Sequence, residues 1–516
     1  MFSKMNILHY SLLFPVVLIL FSFKNDVFDA GSLLSRIALE IIPEGLISHA
    51  TNSKLSTAVS RFDTPSSPSI TLDNTLANLF REHGISDSIV LDIYNGYSHV
   101  DIHPQLLRET VYTQDEDVGL SSNITDERLE RFRTLALTYK TVKFLLGVGP
   151  LDVYLYRPAN APKNIDRILS PLPANQRPQL HYIDLDKQDL QTEVRRINHG
   201  KKLWYYRPKS YMRQFDTLVS PDFAYKINDK RFLLHPGIPT PDLKMFPLQQ
   251  GQDLRTSVLM TRPLPFVVKL RRCSGSRGTW IVTREDQREE MLTDMEAYQA
   301  RGVPEIQVSE FVHSRRPHYS VNFFLGAAGP SNGSSIVTFL GATEQLFSQA
   351  GRWAGSVIDY RAQKQIEEQL MGTIQAVART LIGSYVGWIG IDVIIDEDSN
   401  RTVVIDLNAR LTGGFVICLL SNHFLKERSL PLAQAQTFNY EGKPADVYTL
   451  LAPFINKGQI VVAAVTESLP NNSTAQLIFG GRDREELFSM KATIQERLSR
   501  CLDRHGMSDN SSAVLV

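Results

Sequence analysis

Short apolar runs alternate along the chain with stretches in which apolar positions recur every three or four residues, a pattern of mixed strand and helix. In the first half, residues 88–94, 150–156 and 182–186 have the length and composition of strands. Between them, residues 125–146 carry Leu129, Phe132, Ala136, Tyr139, Val142 and Leu146 at helical steps, with Thr125 or Asp126 as the cap. An α/β layer follows. Further on, a helix over 225–235 is stopped by Pro236 and Gly237 and gives way to an extended Pro-rich exit. A strand at 265–270, a Gly/Ser loop at 273–278, a strand at 279–283, a charged helix at 284–300 and strands at 305–312 and 319–325 come next. Residues 361–385 form an amphipathic helix with Ile366, Leu370, Ile374, Val377 and Leu381 on one face. Strands at 388–395 and 402–407 close the region around a turn at 396–400.

Length changes this picture from one layer to several domains: 516 residues, at roughly 100–200 per domain, predict about three. A hydrophobic fraction of 43% with 21% charged residues excludes a disordered chain. Lys+Arg and Asp+Glu both number 55, which leaves no net field for holding nucleic acid. Cys273, Cys418 and Cys501 are too few and too scattered for a disulfide framework or a Cys-rich zinc site; they read as buried filler in a reducing compartment. Residues 7–23 carry no charge but include His9, Tyr10, Ser11 and Pro15, so they read equally as a membrane-associating leader or a buried apolar element. Lys4 ahead of that run would place the bulk of the chain outside the cytosol, and the sequons at Asn123 and Asn332 settle nothing. A polar stretch at 51–69 reads as a linker, with a domain beginning near Ile70.

Two constellations carry chemistry. Lys269 ends an apolar strand ahead of Ser274, Gly275, Ser276 and Gly278, small residues whose main-chain N–H groups suit phosphates while the lysine supplies charge. A plain hairpin connection is the competing reading, and the P-loop ending is missing. Farther along, strand alternation places Asp406 and Asn408 on one face, and Asp392 on the neighbouring strand converges with them. Two carboxylates and an amide oxygen are hard ligands of the kind magnesium takes. Arg410, just beyond, is suited to a phosphoryl or carboxylate group.

Taken in order, these segments resemble the ATP-grasp superfamily, the fold of D-alanyl-D-alanine ligase, biotin carboxylase and carnosine synthase. The resemblance spans about 222–420 and rests on Lys230 ahead of Gly-Ile-Pro-Thr-Pro, Lys269 before its loop, Glu310-Phe311-Val312, the Gly-Ala-Thr-Glu-Gln run at 341–345, and Asp392 with Asp406, Asn408 and Arg410. With the apolar run giving a hydrophobic leader or membrane-associating segment at 1–30, it implies an α/β chain with a partly Rossmann-like domain at 31–220, a two-lobed ATP-grasp at 221–430 and a C-terminal module at 431–516. It further implies that Lys230, Lys269 and the small-residue loop contact ATP phosphates, that the main chain of Glu310, Phe311 and Val312 reads adenine, and that Asp392, Asp406 and Asn408 hold magnesium or manganese. Two positions depart from the family pattern. Asp406 stands where a longer Glu is usual, and His318 stands where an acidic residue often holds the ribose. Arg271, Arg272, Arg277, Arg315 and Arg316 are secondary phosphate or carboxylate candidates, and Glu344 is either substrate wall or structural cap.

The implied activity is ATP-dependent carboxylate–amine ligation in the cytoplasm, ADP-forming through an acyl phosphate, on a small-molecule acid and amine, with Lys269 and Arg410 as catalytic groups. Two rivals stay open: an ATP-grasp kinase of a small metabolite, and a weakly catalytic ATP-binding protein held at a membrane by residues 7–23.

Overall fold

The computed structural model describes residues 68–500 apart from breaks at 86–88, 95–101, 108, 116–125, 157–161, 328–335 and 349–350. Residues 7–23, the sequons at Asn123 and Asn332, and Cys501 lie outside the described residues. No helix among the described residues is long and apolar enough to cross a membrane.

The N-terminal part is a parallel sheet of β1 (Ile89–Asp92), β2 (Asp152–Tyr156), β3 (Gln179–Ile183) and β4 (Lys202–Tyr205), in the order β3-β2-β1-β4. Helices Asp126–Leu137, Pro162–Leu169 and Leu190–Asn198 lie between successive strands, as parallel pairing requires. The third strand begins at Gln179 rather than 182, and β4 is a strand beyond those the sequence pattern predicts. The helix expected over 125–146 stops at Leu137. Thr138 leaves helical geometry (φ −114°, ψ −80°), its hydroxyl donates to the Thr134 carbonyl at 2.6 Å, and the chain goes on in short turns.

A second, antiparallel sheet holds β5 (Leu243–Pro247), β6 (Phe266–Leu270), β7 (Thr279–Val282) and β8 (Glu305–Glu310), ordered β5-β8-β6-β7. Phe266, Val268 and Leu270 point into a core completed by Met291, Leu292 and Met295 of helix Glu285–Ala300. By alternation, Val267 and Lys269 occupy the opposite face.

The third sheet has eight antiparallel strands: β9 (Tyr319–Leu325), β10 (Val337–Phe347), β11 (Trp353–Asp359), β12 (Gly387–Ile395), β13 (Thr402–Asn408), β14 (Leu432–Glu441), β15 (Ile460–Leu469) and β16 (Asn472–Gly481). Their order is β13-β12-β9-β10-β11-β14-β16-β15, so the strands after Leu432 extend the sheet through β11–β14 pairing. Helix Gln363–Leu381 buries Ile374, Val377 and Leu381 on one face against Ile389, Ile391 and Val393. On the other face, Phe324 and Trp388 pack with Phe80, Trp204 and Phe415, which seats the parallel sheet against the large one.

Candidate active site

Pairing across β10, β9, β12 and β13 lines up two rows of side chains. One row is Thr343, Ser320, Asp392 and Asp406, and the other is Gly341, Asn322, Gly390 and Asn408. Cross-strand partners share a face, so Asp392, Asp406 and Asn408 converge as the alternation predicted. Gly390 leaves room for the loop after β13: a Cβ there would meet Thr412 Cγ2 at 2.3 Å. That loop is held by the Thr412 hydroxyl donating to Asn322 Oδ1 at 2.6 Å, and by Asn228 Oδ1 accepting from the Ala409 N–H at 3.1 Å.

Between Asp392 and Val393 the register slips by one residue, leaving Ile405 as the extra residue of β13. Its carbonyl accepts a hydrogen bond from Lys269 Nζ at 2.8 Å, a contact from the small sheet to the large one. Lys230, 5% exposed, donates to Asp406 Oδ1 at 2.7 Å.

The charges are interdependent. Burial, and then the negative charge of Asp406, push Asp392 up to about 6, with a Ser320 hydrogen bond opposing. Burial also works against ionised Asp406, but Lys230 and Lys269 outweigh it and hold that carboxyl below the usual range. Burial and the neighbouring Lys230 lower Lys269. Two facing carboxylates of which one resists ionisation, beside an amide oxygen, form a hard donor set that fits magnesium, with water and phosphate oxygens completing the shell. No group of three or more His, Cys, Asp or Glu side chains that could hold a metal ion occurs among the described residues.

The loop after Lys269 is a tight turn. Gly275, Ser276 and Gly278 all have positive φ (63°, 62° and 67°), and a Cβ on Gly278 would meet Leu270 Cδ1 at 2.6 Å. Arg207 Nη2 reaches Ser274 Oγ at 3.3 Å. Phe311 and Val312 follow β8, and their main-chain groups make no hydrogen bond among the described residues; Glu310 itself is engaged by Asp242 and Arg401. His318 lies near enough for Lys269 to lower it, after burial.

Several secondary candidates have other partners. Arg271 and Arg272 both bind Asp229. Glu344 pairs with Arg484 at 2.5 Å. Arg315 is 94% exposed beside Glu397, and Arg316 is exposed. Cys273 and Cys418 are buried and unbridged. Residues that the sequence reading missed are Ser320 and Asn322 in the rows, and Lys143, Tyr206 and Arg207 from the N-terminal part; only strand pairing and domain packing bring them here.

The family model for the ATP-grasp domain of L-aspartate–L-methionine ligase matches residues 248–408, a span that includes Lys269 with its loop, Asp392, Asp406 and Asn408. No curated protein matches the chain in sequence. Similar solved structures include the ADP complex of N5-carboxyaminoimidazole ribonucleotide synthetase (12% identity, 68% of this chain and 92% of that one, TM-score 0.46). The enzyme of the same name from Thermus thermophilus is similar at 15% identity, over 80% and 98% of the two chains, with TM-score 0.44. Phosphoribosylamine–glycine ligase from Thermotoga maritima is similar at 15% identity over 67% and 91%, with TM-score 0.41. By the family match, residues 248–408 of this chain are an ATP-grasp ligase domain.

Proposed function

We propose that the protein activates a small carboxylic acid with ATP as an acyl phosphate and passes it to an amine, forming an amide, ADP and phosphate. The observation that carries this reading is the convergence of Lys230, Lys269, Asp392 and Asp406 between two sheets, beside a loop of small residues and ahead of Arg410. The name of the matched family makes amino acids the first acids and amines to try.

Lys269 and Lys230 hold fixed positive charge for the polyphosphate, and main-chain N–H groups of Ser274, Gly275, Ser276 and Gly278 close over it. The free main-chain groups of Phe311 and Val312 suit adenine, with His318 near the ribose and Glu310 bracing the segment. Magnesium held by Asp392, Asp406 and Asn408 would neutralise phosphate charge and polarise the transferring group. Arg410 offers a guanidinium to the attacking carboxylate and the transferring phosphoryl. The closed loop keeps water from the acyl phosphate until the amine attacks. In this reading the described N-terminal parallel sheet flanks the catalytic lobes and supplies a wall to the acid site through Tyr206 and Arg207.

The test is the full chain with Mg-ATP and pooled amino acids and small carboxylic acids, scored for ADP, phosphate and new products by mass spectrometry. The expected result is an amide formed in step with ADP. A phosphorylated metabolite, or ATP binding without ADP under every mixture, would overturn the ligase.

A further inference from the structure

Arg410 lies within electrostatic reach of two clusters. One is the Lys230–Asp406 pair, and the other gathers around Tyr206. Tyr206 sits one residue past the C-terminal end of β4, and its N–H donates to the Asp92 carbonyl at the end of β1. In open parallel sheets ligands bind outside the carboxyl ends of the strands, and Tyr206 stands at that edge. Its ring stacks on Phe144 (centroids 5.3 Å apart, planes at 29°), and the Arg410 guanidinium lies 5.8 Å from the ring centroid. Lys143 comes from the turn before Phe144, with Nζ 4.6 Å from the Phe144 centroid. Arg207, the residue after Tyr206, reaches Ser274 of the phosphate loop. A cleft lined by Tyr206, Asn228, Tyr385 and Ala409 opens beside them.

Cations gather beside the stacked rings of Tyr206 and Phe144. Lys143, Arg207 and Arg410 are half-buried, and no ion pair joins Lys143 or Arg410 to a carboxylate among the described residues. Tyr206 is 7% exposed, yet its hydroxyl makes no hydrogen bond among the described residues. Like charges gathered out of water repel and lose hydration, an arrangement that an arriving anion relieves. The titration of the group agrees. Burial alone would raise the Tyr206 phenol, but Arg410, Lys143 and Arg207 hold it below its usual value, and burial lowers Lys143.

We propose that Lys143, Tyr206 and Arg410 form a receptor for a second anionic group on the acid substrate, a carboxylate or phosphate ester distinct from the carboxylate that is activated. The proposal rests on the ligase reading for the word substrate, but the receptor itself is testable without turnover. With the second anion on Lys143 and Tyr206, Arg410 stands between it and the Asp406 end of the site, where the reacting carboxylate meets the phosphates. The chain would then select dianionic acids over monocarboxylic ones.

The experiment uses the full chain in two arms. Without nucleotide, thermal unfolding is followed against succinate, O-phosphoserine and acetate, in wild type, Lys143→Met and Tyr206→Phe. Succinate or O-phosphoserine is expected to raise the midpoint while acetate does not, and each variant should weaken that binding by about tenfold or more, one charge-assisted hydrogen bond's worth. A response to succinate alone assigns the receptor to carboxylates, and one to O-phosphoserine alone assigns it to phosphates. Absence of both responses, or undiminished responses in a folded Tyr206→Phe chain, overturns the receptor. With Mg-ATP and pooled amines, ADP formation is compared between aspartate or O-phosphoserine and alanine as the acid. Equal rates with alanine overturn the receptor and leave the ligase standing, whereas no ADP with any acid overturns the ligase and leaves the anion-binding result to stand by itself.

Discussion

Lys269 donates to the carbonyl of Ile405, the residue that the bulge in β13 leaves without a partner, one position before Asp406. A bulge re-aims the strand locally. Here it coincides with the contact that ties the phosphate-loop strand to the carboxylate rows. The lysine's charge therefore arrives at the carboxylates already oriented, and preorganised charge of this kind acts without reorganisation during reaction.

Lys269→Ala is accordingly expected to lower ADP formation by about a hundredfold or more, the scale of losing one preorganised charge. Circular dichroism and the unfolding midpoint should stay close to wild type, because Lys269 faces away from the Phe266–Val268–Leu270 core. Turnover near the wild-type rate in a folded variant would remove Lys269 from the mechanism.

The Lys230–Asp406 pair makes a different prediction, on stability. Lys230 is 5% exposed, so Asp406→Asn strands a buried ammonium and should cost about 3 kcal/mol in urea unfolding of the nucleotide-free chain. The double change Lys230→Met with Asp406→Leu removes both charges and should recover most of that loss. A single variant with the wild-type urea midpoint would show that water already screens the pair.

How much of this was legible in the sequence follows from how local each signal is. Lys269, Asp392, Asp406 and Asn408 could be named because each sits in one strand whose alternation is visible within seven or so residues. The bulge at Ile405 could not, since it exists only relative to β12. Arg271 and Arg272 looked like phosphate ligands because their partner, Asp229, lies 42 residues before Arg271. Strands β10 and β11 went unread, each with a glycine (Gly341, Gly355) inside the run. Lys143, Tyr206 and Arg207 were invisible as a site because they come from separate segments that only the packing of two sheets brings to Arg410.

In the proposed ligase reading, Asp229 is a positioning residue for the nucleotide side. Its carboxylate accepts from Arg271 Nε at 3.1 Å and binds Arg272, while Oδ1 accepts from the Arg231 N–H at 2.9 Å at the start of the turn that carries Lys230. One side chain thus fixes both the root of the phosphate loop and Lys230. Asp229→Ala should raise the KM for ATP by about tenfold with a smaller effect on kcat, and Asp229→Glu should restore part of it. An unchanged KM in a folded Asp229→Ala chain would mean that the loop holds its shape without this carboxylate.

His423 gives the chain a stability limit in acid that is independent of the active site. The ring is fully buried, Nε2 hydrogen-bonds the Gly458 carbonyl at 2.9 Å, and Nδ1 has no partner. Burial pushes His423 down to about 4, the Arg428 charge acts in the same direction, and the Gly458 hydrogen bond only partly opposes them. Since the unfolded chain takes up this proton at about pH 6.5, it binds more protons than the folded chain between there and about pH 4. The contribution of neutral His423 is therefore intact above pH 6.5 and lost as pH falls toward 4, to the extent of about 3 kcal/mol. Urea unfolding at pH 7.5 and pH 4.5 should show this loss in wild type, and His423→Gln, which keeps a donor for Gly458 but does not titrate, should flatten it. Equal losses in the two proteins would assign the acid sensitivity to other groups, the carboxylates held by Lys230, Arg271 and Arg272 first among them.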